Sequence, residues 1–178
     1  MISADVFFVF YIVIFGFIGT TRGWVREVIV TFAMLFALFI YSLPQFSTIL
    51  GPLINNGDPI WRFFWRAFPF VFITFFGYLS PVVARGRFEK AASSRFEYGL
   101  LSFMIGVFNG YLFFSSLAWW AQNSGLLDGS QYGYLFTPPP GGWNSFFFIK
   151  SAAPVIFSGS LLIFVVIVIF LFVIIVLV

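Results

Sequence analysis

The sequence predicts an all-α, polytopic integral membrane protein with about five transmembrane helices. Of its 178 residues, 61% are hydrophobic and 8% are charged, whereas a soluble domain has roughly 25% charged residues. Residues 161–178 are all Val, Ile, Leu or Phe, and a helix of about 20 apolar residues spans the hydrocarbon core. These observations exclude a soluble enzyme, a disordered protein and a nucleic-acid partner. The chain has a net charge of +3, which we attribute to basic loop residues that orient the protein in the membrane.

Five apolar stretches are expected to cross the membrane. No basic segment precedes the first of them, and Asp5 lies where one would be expected, so we expect no cleaved signal peptide. Pro44 is expected to end the second, because proline removes a backbone donor and clashes with the preceding turn. The stretches are residues 6–19, 28–43 (extending back to Trp24), 67–84, 98–120 and 151–178.

The stretches divide the chain into three parts. Residues 1–120 form a four-helix membrane domain, residues 121–150 a long extracytoplasmic loop, and residues 151–178 an additional C-terminal transmembrane helix. Five spans put six basic residues on one side (Arg22, Arg26, Arg85, Arg87, Lys90, Arg95) and three on the other (Arg62, Arg66, Lys150). The excess of basic residues favours the first side as cytoplasmic, which places the N-terminus outside and the C-terminus inside.

A boundary polar cluster is predicted around the first helix and the turn that follows it. Its members are Asp5, Arg22, Gly23, Arg26 and Glu27. In a continuous helix Arg22 and Arg26 would share a face, and Glu27 would partly neutralise them. The cluster is either an anion or lipid-headgroup site at a helix start or an anchor of the positive-inside type with a tight turn. The second interpretation is favoured.

A helix-packing seam is predicted on the fourth span. Ser102, Gly106 and Gly110 are spaced four residues apart, with Gly99 and Asn109 beside them. Small residues at this spacing let two helices approach closely in lipid. The partner is a helix of the same chain or of another subunit, and Asn109 is expected to form a hydrogen bond between helices.

Interfacial anchors are predicted before the third span, where Trp61, Arg62, Trp65 and Arg66 suit a membrane-interface belt with cation–π contacts. A substrate site is the less favoured alternative there. Residues 85–97 are predicted as an interfacial helix or a solvated connection. The loop at residues 121–150, with Asp128 and the turn at residues 138–142, is expected to lie over the membrane surface or against a partner.

The chain contains neither cysteine nor histidine. No cofactor is therefore expected to be ligated by side chains, no metal site is predicted, and the commonest general base is missing. Lipid, quinone or pigment contacts would be peripheral ones, through aromatic side chains. Every charged residue lies at or near a predicted helix boundary, so no proton relay, catalytic residue or ion path is predicted.

Asp5 and Gly19 precede the motif RGWVRE, which runs from Arg22 to Glu27. Further along, Arg95 precedes a helix with glycines at positions 99, 106 and 110. Together these features resemble the colicin V production (CvpA-like) family. The resemblance covers roughly residues 5–120. It implies a bacterial-type inner-membrane protein linked to colicin export and envelope maintenance. The long loop and the fifth apolar helix depart from the family, whose members usually have four spans.

These observations leave three candidate functions. The favoured one is a non-catalytic accessory or scaffold subunit of a larger membrane complex, with other membrane subunits and lipids as partners and a respiratory or photosynthetic host. The alternative is a small transporter, channel or export factor, which needs a polar path between helices. An intramembrane enzyme is disfavoured because no nucleophile with a base is visible.

Overall fold

The computed structural model describes residues 2–55, 57–79, 95–127, 136–137 and 141–177, and this part of the chain is a helical bundle. The prediction of an all-α membrane protein is confirmed. The one exception is a two-residue parallel bridge between β1 and β2. The elements are β1 (Ile2–Ser3), α1 (Ala4–Arg22), α2 (Trp24–Ser42), α3 (Pro44–Asn55), α4 (Pro59–Leu79), α5 (Arg95–Asn123), β2 (Phe136–Thr137), the 3₁₀ turn η1 (Trp143–Ser145), α6 (Phe147–Lys150), α7 (Ala153–Ile156) and α8 (Gly159–Leu177).

Helix α5 is the centre of the bundle, and α1 and α2 pack against it in opposite directions. Along α1, Phe8 contacts Phe114 and Phe17 contacts Phe103, so these two helices are antiparallel. Along α2, contacts with α5 run from Glu27 with Asn109 to Tyr41 with Trp120, so these two helices are parallel. The reversal occurs at Gly23, the one residue between α1 and α2.

Helices α4 and α8 cover the side of α2 that α5 leaves open. Tyr41 donates a hydrogen bond to the backbone oxygen of Arg66 near one end of α4, and the backbone of Gly77 meets Ala33 near the other end. Between α2 and α8, Trp24 is in ring contact with Phe172 and Phe32 with Phe170. Both α4 and α8 therefore run antiparallel to α2, and the end of α8 lies beside the α1–α2 turn. The core comprises Val30, Met34, Leu35, Leu38, Phe70, Leu112, Trp120 and Leu162.

The predicted count of five spans is wrong. Among the described residues, α1, α2 and α5 are long and apolar enough to cross a membrane, and the count is four if the bent pair near the C-terminus forms one span. Helix α4, the predicted third span, is not among them, because its first half contains Arg62 and Arg66. Its contacts nevertheless run from Tyr41 with Arg66 to Arg22 with Tyr78, so the described part of α4 extends along α2 between the two ends of the bundle. The remainder of the predicted span, residues 80–84, lies outside the described residues.

Further boundaries differ from the predictions. Helix α2 ends at Ser42, close to the predicted end, but Pro44 begins α3 instead of leading into a loop. Proline is favoured in a first turn, where its missing N–H would have no partner. The predicted C-terminal helix is broken between α7 and α8, which meet at a bend of 69°. Helix α5 begins at Arg95 and ends at Asn123, slightly longer than predicted at both ends.

The described end of the predicted extracytoplasmic loop packs onto the chain's own helices. Phe146 is 1% exposed and contacts Phe8 of α1, and Phe148 stacks on the same ring. Tyr111 of α5 donates to the backbone oxygen of Ser151. This part of the loop therefore extends the core of the bundle. Asp128, the prolines at residues 138–140 and most of the segment at residues 85–97 lie outside the described residues.

Candidate functional site

A buried ion pair joins the end of α1 to the start of α2. Arg22 Nη1 donates to Glu27 Oε1 at 2.7 Å, and the Glu27 side chain is fully buried. A cation in the last turn of one helix and an anion in the first turn of the next each complement the helix dipole they meet. Glu27 is therefore a buried charge that is neutralised at close range.

The second Glu27 oxygen is bound from α5. Asn109 Nδ2 donates to Glu27 Oε2 at 2.9 Å and also to the backbone oxygen of Glu27 at 2.9 Å. Thr31 Oγ1 lies 2.6 Å from Asn109 Oδ1, so the amide is bonded through both of its polar atoms. Asn109 therefore makes the predicted hydrogen bond between helices. The Glu27 carboxylate also binds Arg22, so it links α1, α2 and α5.

Helix α4 closes the cluster from the remaining side. Arg22 Nη2 donates to the backbone oxygen of Tyr78 at 2.9 Å, and the guanidinium carbon lies 4.3 Å from the centre of the Tyr78 ring. This cation–π contact adds to the ion pair where the site is partly desolvated. We call Arg22, Glu27, Thr31, Tyr78 and Asn109 the Glu27 cluster.

The Glu27 cluster retains Arg22 and Glu27 of the predicted boundary cluster and lacks its other three members, of which Gly23 forms the adjoining turn. Asp5 is exposed in the first turn of α1, at the opposite end of that helix from Arg22. Arg26 is in α2 while Arg22 ends α1, so the break at Gly23 prevents the shared helical face that was predicted. Glu27 and the Tyr78 backbone oxygen use two of the five guanidinium N–H donors of Arg22, and Glu27 neutralises its charge. This internal pairing at a tight turn supports the interpretation as an anchor.

Gly23 makes this turn sterically feasible. Its φ of 88° and ψ of 148° belong to a region that is essentially restricted to glycine. A Cβ at this position would overlap Tyr98 Oη, at the start of α5. The backbone of Gly23 stays bonded to α1 and α2 through Gly19 and Glu27.

We expect Gly23→Ala to destabilise the fold by about 1–3 kcal/mol, through backbone strain and the overlap with Tyr98. Gly125→Ala is the matched control, because Gly125 also has a positive φ but no atom within 4 Å of an added Cβ. Adding Tyr98→Phe to the Gly23→Ala variant should restore part of the loss. The measurement is unfolding in mixed micelles followed by circular dichroism. Equal losses for Gly23→Ala and Gly125→Ala would show that the contact with Tyr98 is irrelevant.

The predicted packing seam lies against α1 of the same chain. A Cβ on Gly106 would lie 2.5 Å from the backbone oxygen of Phe15, and one on Gly110 would lie 3.0 Å from the Cα of Ile12. Ser102 is fully buried, and its backbone oxygen meets Gly19. Since α1 occupies this face, a second subunit has no access to it.

Gly99 is not part of the seam. An added Cβ there has no atom within 4 Å, in contrast to the other glycines of α5. Gly16 of α1 is the member that sequence reasoning missed: a Cβ there would lie 2.7 Å from both Phe103 and Val107. Its spacing of three residues from Gly19 was the available signal.

The predicted interfacial anchors contact other groups than those expected. Trp61 is about half exposed and is in ring contact with Phe64 and Trp65. Arg62 donates to the backbone oxygen of Gly57, and Arg66 lies 3.5 Å from Ser124 Oγ. Within the described residues the cation–π contact is that of Arg22 with Tyr78, not one with a tryptophan.

Sequence reasoning also missed Thr31 and Tyr78. Thr31 is four residues after Glu27, hence on the same face of α2, which could have indicated it. Tyr78 carries no local signal, because its part depends on how α4 crosses α1. In the part of the chain that the structure describes, no group of three acidic side chains could hold a metal ion.

Comparison of the chain with protein-family models, with curated proteins and with solved structures finds no match. The resemblance to colicin V production proteins therefore stays a prediction. The structure shows that three residues of the RGWVRE motif form the turn and the ion pair: Gly23 forms the turn, and Arg22 and Glu27 form the pair.

Proposed function

We propose that this chain is a non-catalytic accessory or scaffold subunit of a larger membrane complex. The carrying observation is that the side-chain polar atoms of Glu27 and Asn109 are all bonded within the chain. Within the described residues the buried Tyr78 hydroxyl alone of this cluster has no partner. Transporters place ionisable groups where solute or protons reach them. Here the buried charge instead fastens α1, α2, α4 and α5 to one another.

The outer surface supports the same proposal. Helix α8 exposes side chains around most of its circumference and buries Leu162 and Val166, four residues apart. Helix α4 exposes a row of phenylalanines on its outer face (Phe64, Phe68, Phe72, Phe75 and Phe76). Such faces suit lipid and neighbouring membrane subunits of a respiratory or photosynthetic host, where aromatic rings would pack against lipid, quinone or pigment.

The alternative is an export factor of the colicin V production type. The observation in its favour is the ion pair formed by residues of the RGWVRE motif. Its difficulty is that a path formed by oligomerisation along Gly106 and Gly110 would require the face of α5 that α1 covers.

The proposal is tested by photo-crosslinking in native membranes, followed by purification in a mild detergent, mass spectrometry and an absorption spectrum. A benzophenone amino acid is placed at Phe164 of α8 in one variant and at Phe76 of α4 in another, both more than half exposed. We expect discrete adducts with other membrane proteins from at least one position. Adducts with lipid alone from both, together with a colourless homo-oligomer, would contradict the proposal and favour the export factor.

We also propose an inner-membrane location in a bacterial-type cell, with the N-terminus outside and the C-terminus in the cytoplasm. The support is a separation of charge: Arg22 and Arg26 lie at the α1–α2 turn, near the end of α8, while Arg66 and Lys150 belong to the opposite end of the bundle. Basic residues accumulate on the cytoplasmic side.

Because the natural chain has no cysteine, single cysteines report this orientation without background. Thr21→Cys at the turn and Lys150→Cys at the other end both replace exposed residues. We expect a membrane-impermeant maleimide applied outside intact cells to label Lys150→Cys only. Thr21→Cys should react only after permeabilisation. The reverse pattern would invert the orientation.

A further inference from the structure

An apolar cavity of about 210 Å³ lies at the end of the bundle opposite the Glu27 cluster. It is formed where the ends of α2 and α5 meet the turn between α7 and α8. Its walls are made mainly by Leu38, Tyr41, Trp119, Trp120, Phe157 and Leu162. Its remaining lining includes Ser42, Ser158 and Gly159, which are exposed, so the cavity opens to the outside.

The cavity results from the break between α7 and α8. These helices meet at 69°, and Gly159 at the break has a φ of 58°, a left-handed conformation that glycine adopts at no steric cost. A straight continuation of the C-terminal helix would not leave this corner between α2, α5 and α8. The bend therefore creates the cavity, which is a defined feature of the fold.

The hydroxyl groups of the lining are already bonded within the chain. Ser42 Oγ donates to the backbone oxygen of Phe39 at 2.7 Å, and Ser158 Oγ to that of Val155 at 3.1 Å. Tyr41 donates to the backbone oxygen of Arg66. What these residues leave for a ligand is mainly aromatic and aliphatic surface, which selects an apolar occupant.

We propose that this cavity binds one hydrocarbon chain of a membrane lipid, inserted past Ser158 until it contacts Trp120. An apolar cavity of about 150 Å³ already suffices to hold benzene, so this one has room for a chain segment. The side chains beside the mouth, Val155, Ile156 and Leu161, are each more than 40% exposed, and in a membrane their neighbours are hydrocarbon chains. The site does not depend on the proposed accessory role, because an export factor with this fold would contain it too.

Tryptophan fluorescence tests the proposal directly, because Trp120 is 2% exposed and meets lipid only if a chain enters. A full-length variant keeps Trp120 and has phenylalanine at the other five tryptophan positions. It is reconstituted into phosphatidylcholine vesicles with either brominated or ordinary acyl chains, since bromine quenches indole emission on contact. We expect a marked loss of Trp120 emission in the brominated vesicles, and little loss once Ser158→Phe closes the mouth. A variant that keeps only Trp61, which is half exposed, is the positive control.

Two results would overturn the proposal: no loss of Trp120 emission in brominated vesicles, or a loss that Ser158→Phe leaves unchanged while Trp61 is quenched normally.

Native mass spectrometry of the chain with all its tryptophans gives a second measurement that is independent of the multiple replacement. The unaltered chain should retain one more lipid than Ser158→Phe. The mass of that lipid distinguishes a phospholipid acyl chain from the isoprenoid tail of a quinone. Equal retention by both chains would contradict the site.

Discussion

Glu27→Leu is expected to destabilise the folded chain by about 3–5 kcal/mol, because it leaves Arg22 as a partly buried cation without its anion. The Arg22 side chain is 18% exposed and Glu27 is fully buried, so water replaces little of the lost interaction. Arg22→Met should cost a similar amount, since it leaves the Glu27 carboxylate unpaired. The measurement is the free energy of unfolding in mixed micelles, followed by circular dichroism.

The double variant Arg22→Met with Glu27→Leu separates pairing from packing. Removing both charges of a buried pair is often close to neutral, unlike removing one of them. Asn109 keeps a partner in this variant, because the backbone oxygen of residue 27 still accepts from Nδ2. We therefore expect the double variant to be more stable than either single one. Asp5→Asn, at an exposed charge of α1, is the matched control and should lie within about 0.5 kcal/mol of the natural chain.

If Glu27→Leu alone is as stable as Asp5→Asn, the ion pair contributes nothing to the fold, and its role would have to be functional. If the double variant is no better than the single ones, the loss arises from packing volume and not from an unpaired charge.

Gly106→Ala is expected to separate α1 from α5, at a cost of about 3 kcal/mol, the upper part of the range for overpacking. The added Cβ would meet backbone atoms of Phe15, Gly16 and Gly19, none of which can rotate away as a side chain could. Gly110→Leu should be worse still, because its larger side chain meets the backbone of Ile12 and the Cβ of Phe15.

Gly99→Ala on the same helix is the control for Gly106→Ala. No atom lies within 4 Å of an added Cβ there, so the gain in helix propensity of up to about 1 kcal/mol should be retained. The two variants are compared by their midpoints of unfolding in mixed micelles. Similar midpoints would mean that α1 and α5 do not approach as closely as the structure shows.

Several features of the fold follow from local sequence alone. The scarcity of charged residues predicted a membrane protein. Continuous apolar stretches located α1, α2 and α5 to within a few residues. The small-residue spacing around Gly106 and Gly110 identified a close helix contact, because an absent side chain is visible in the sequence. The pairing of a basic and an acidic residue at a helix turn was likewise a local property of Arg22 and Glu27.

The remaining features depended on how the helices cross. The spacing in α5 could not tell a partner in the same chain from one in another subunit, and only the packed structure showed that α1 fills the seam. Asn109 finds Glu27 and Thr31 from 82 and 78 residues away along the chain, which local patterns cannot indicate. An uncharged C-terminal stretch also carries no mark of its bend, since an apolar sequence is compatible with a straight helix or a broken one. The sequence by itself therefore determined the environment and the main helices, because both depend on local composition. Only the tertiary structure decided the partners, the bonding of the Glu27 cluster and the cavity at the bend, because these depend on contacts between distant parts of the chain.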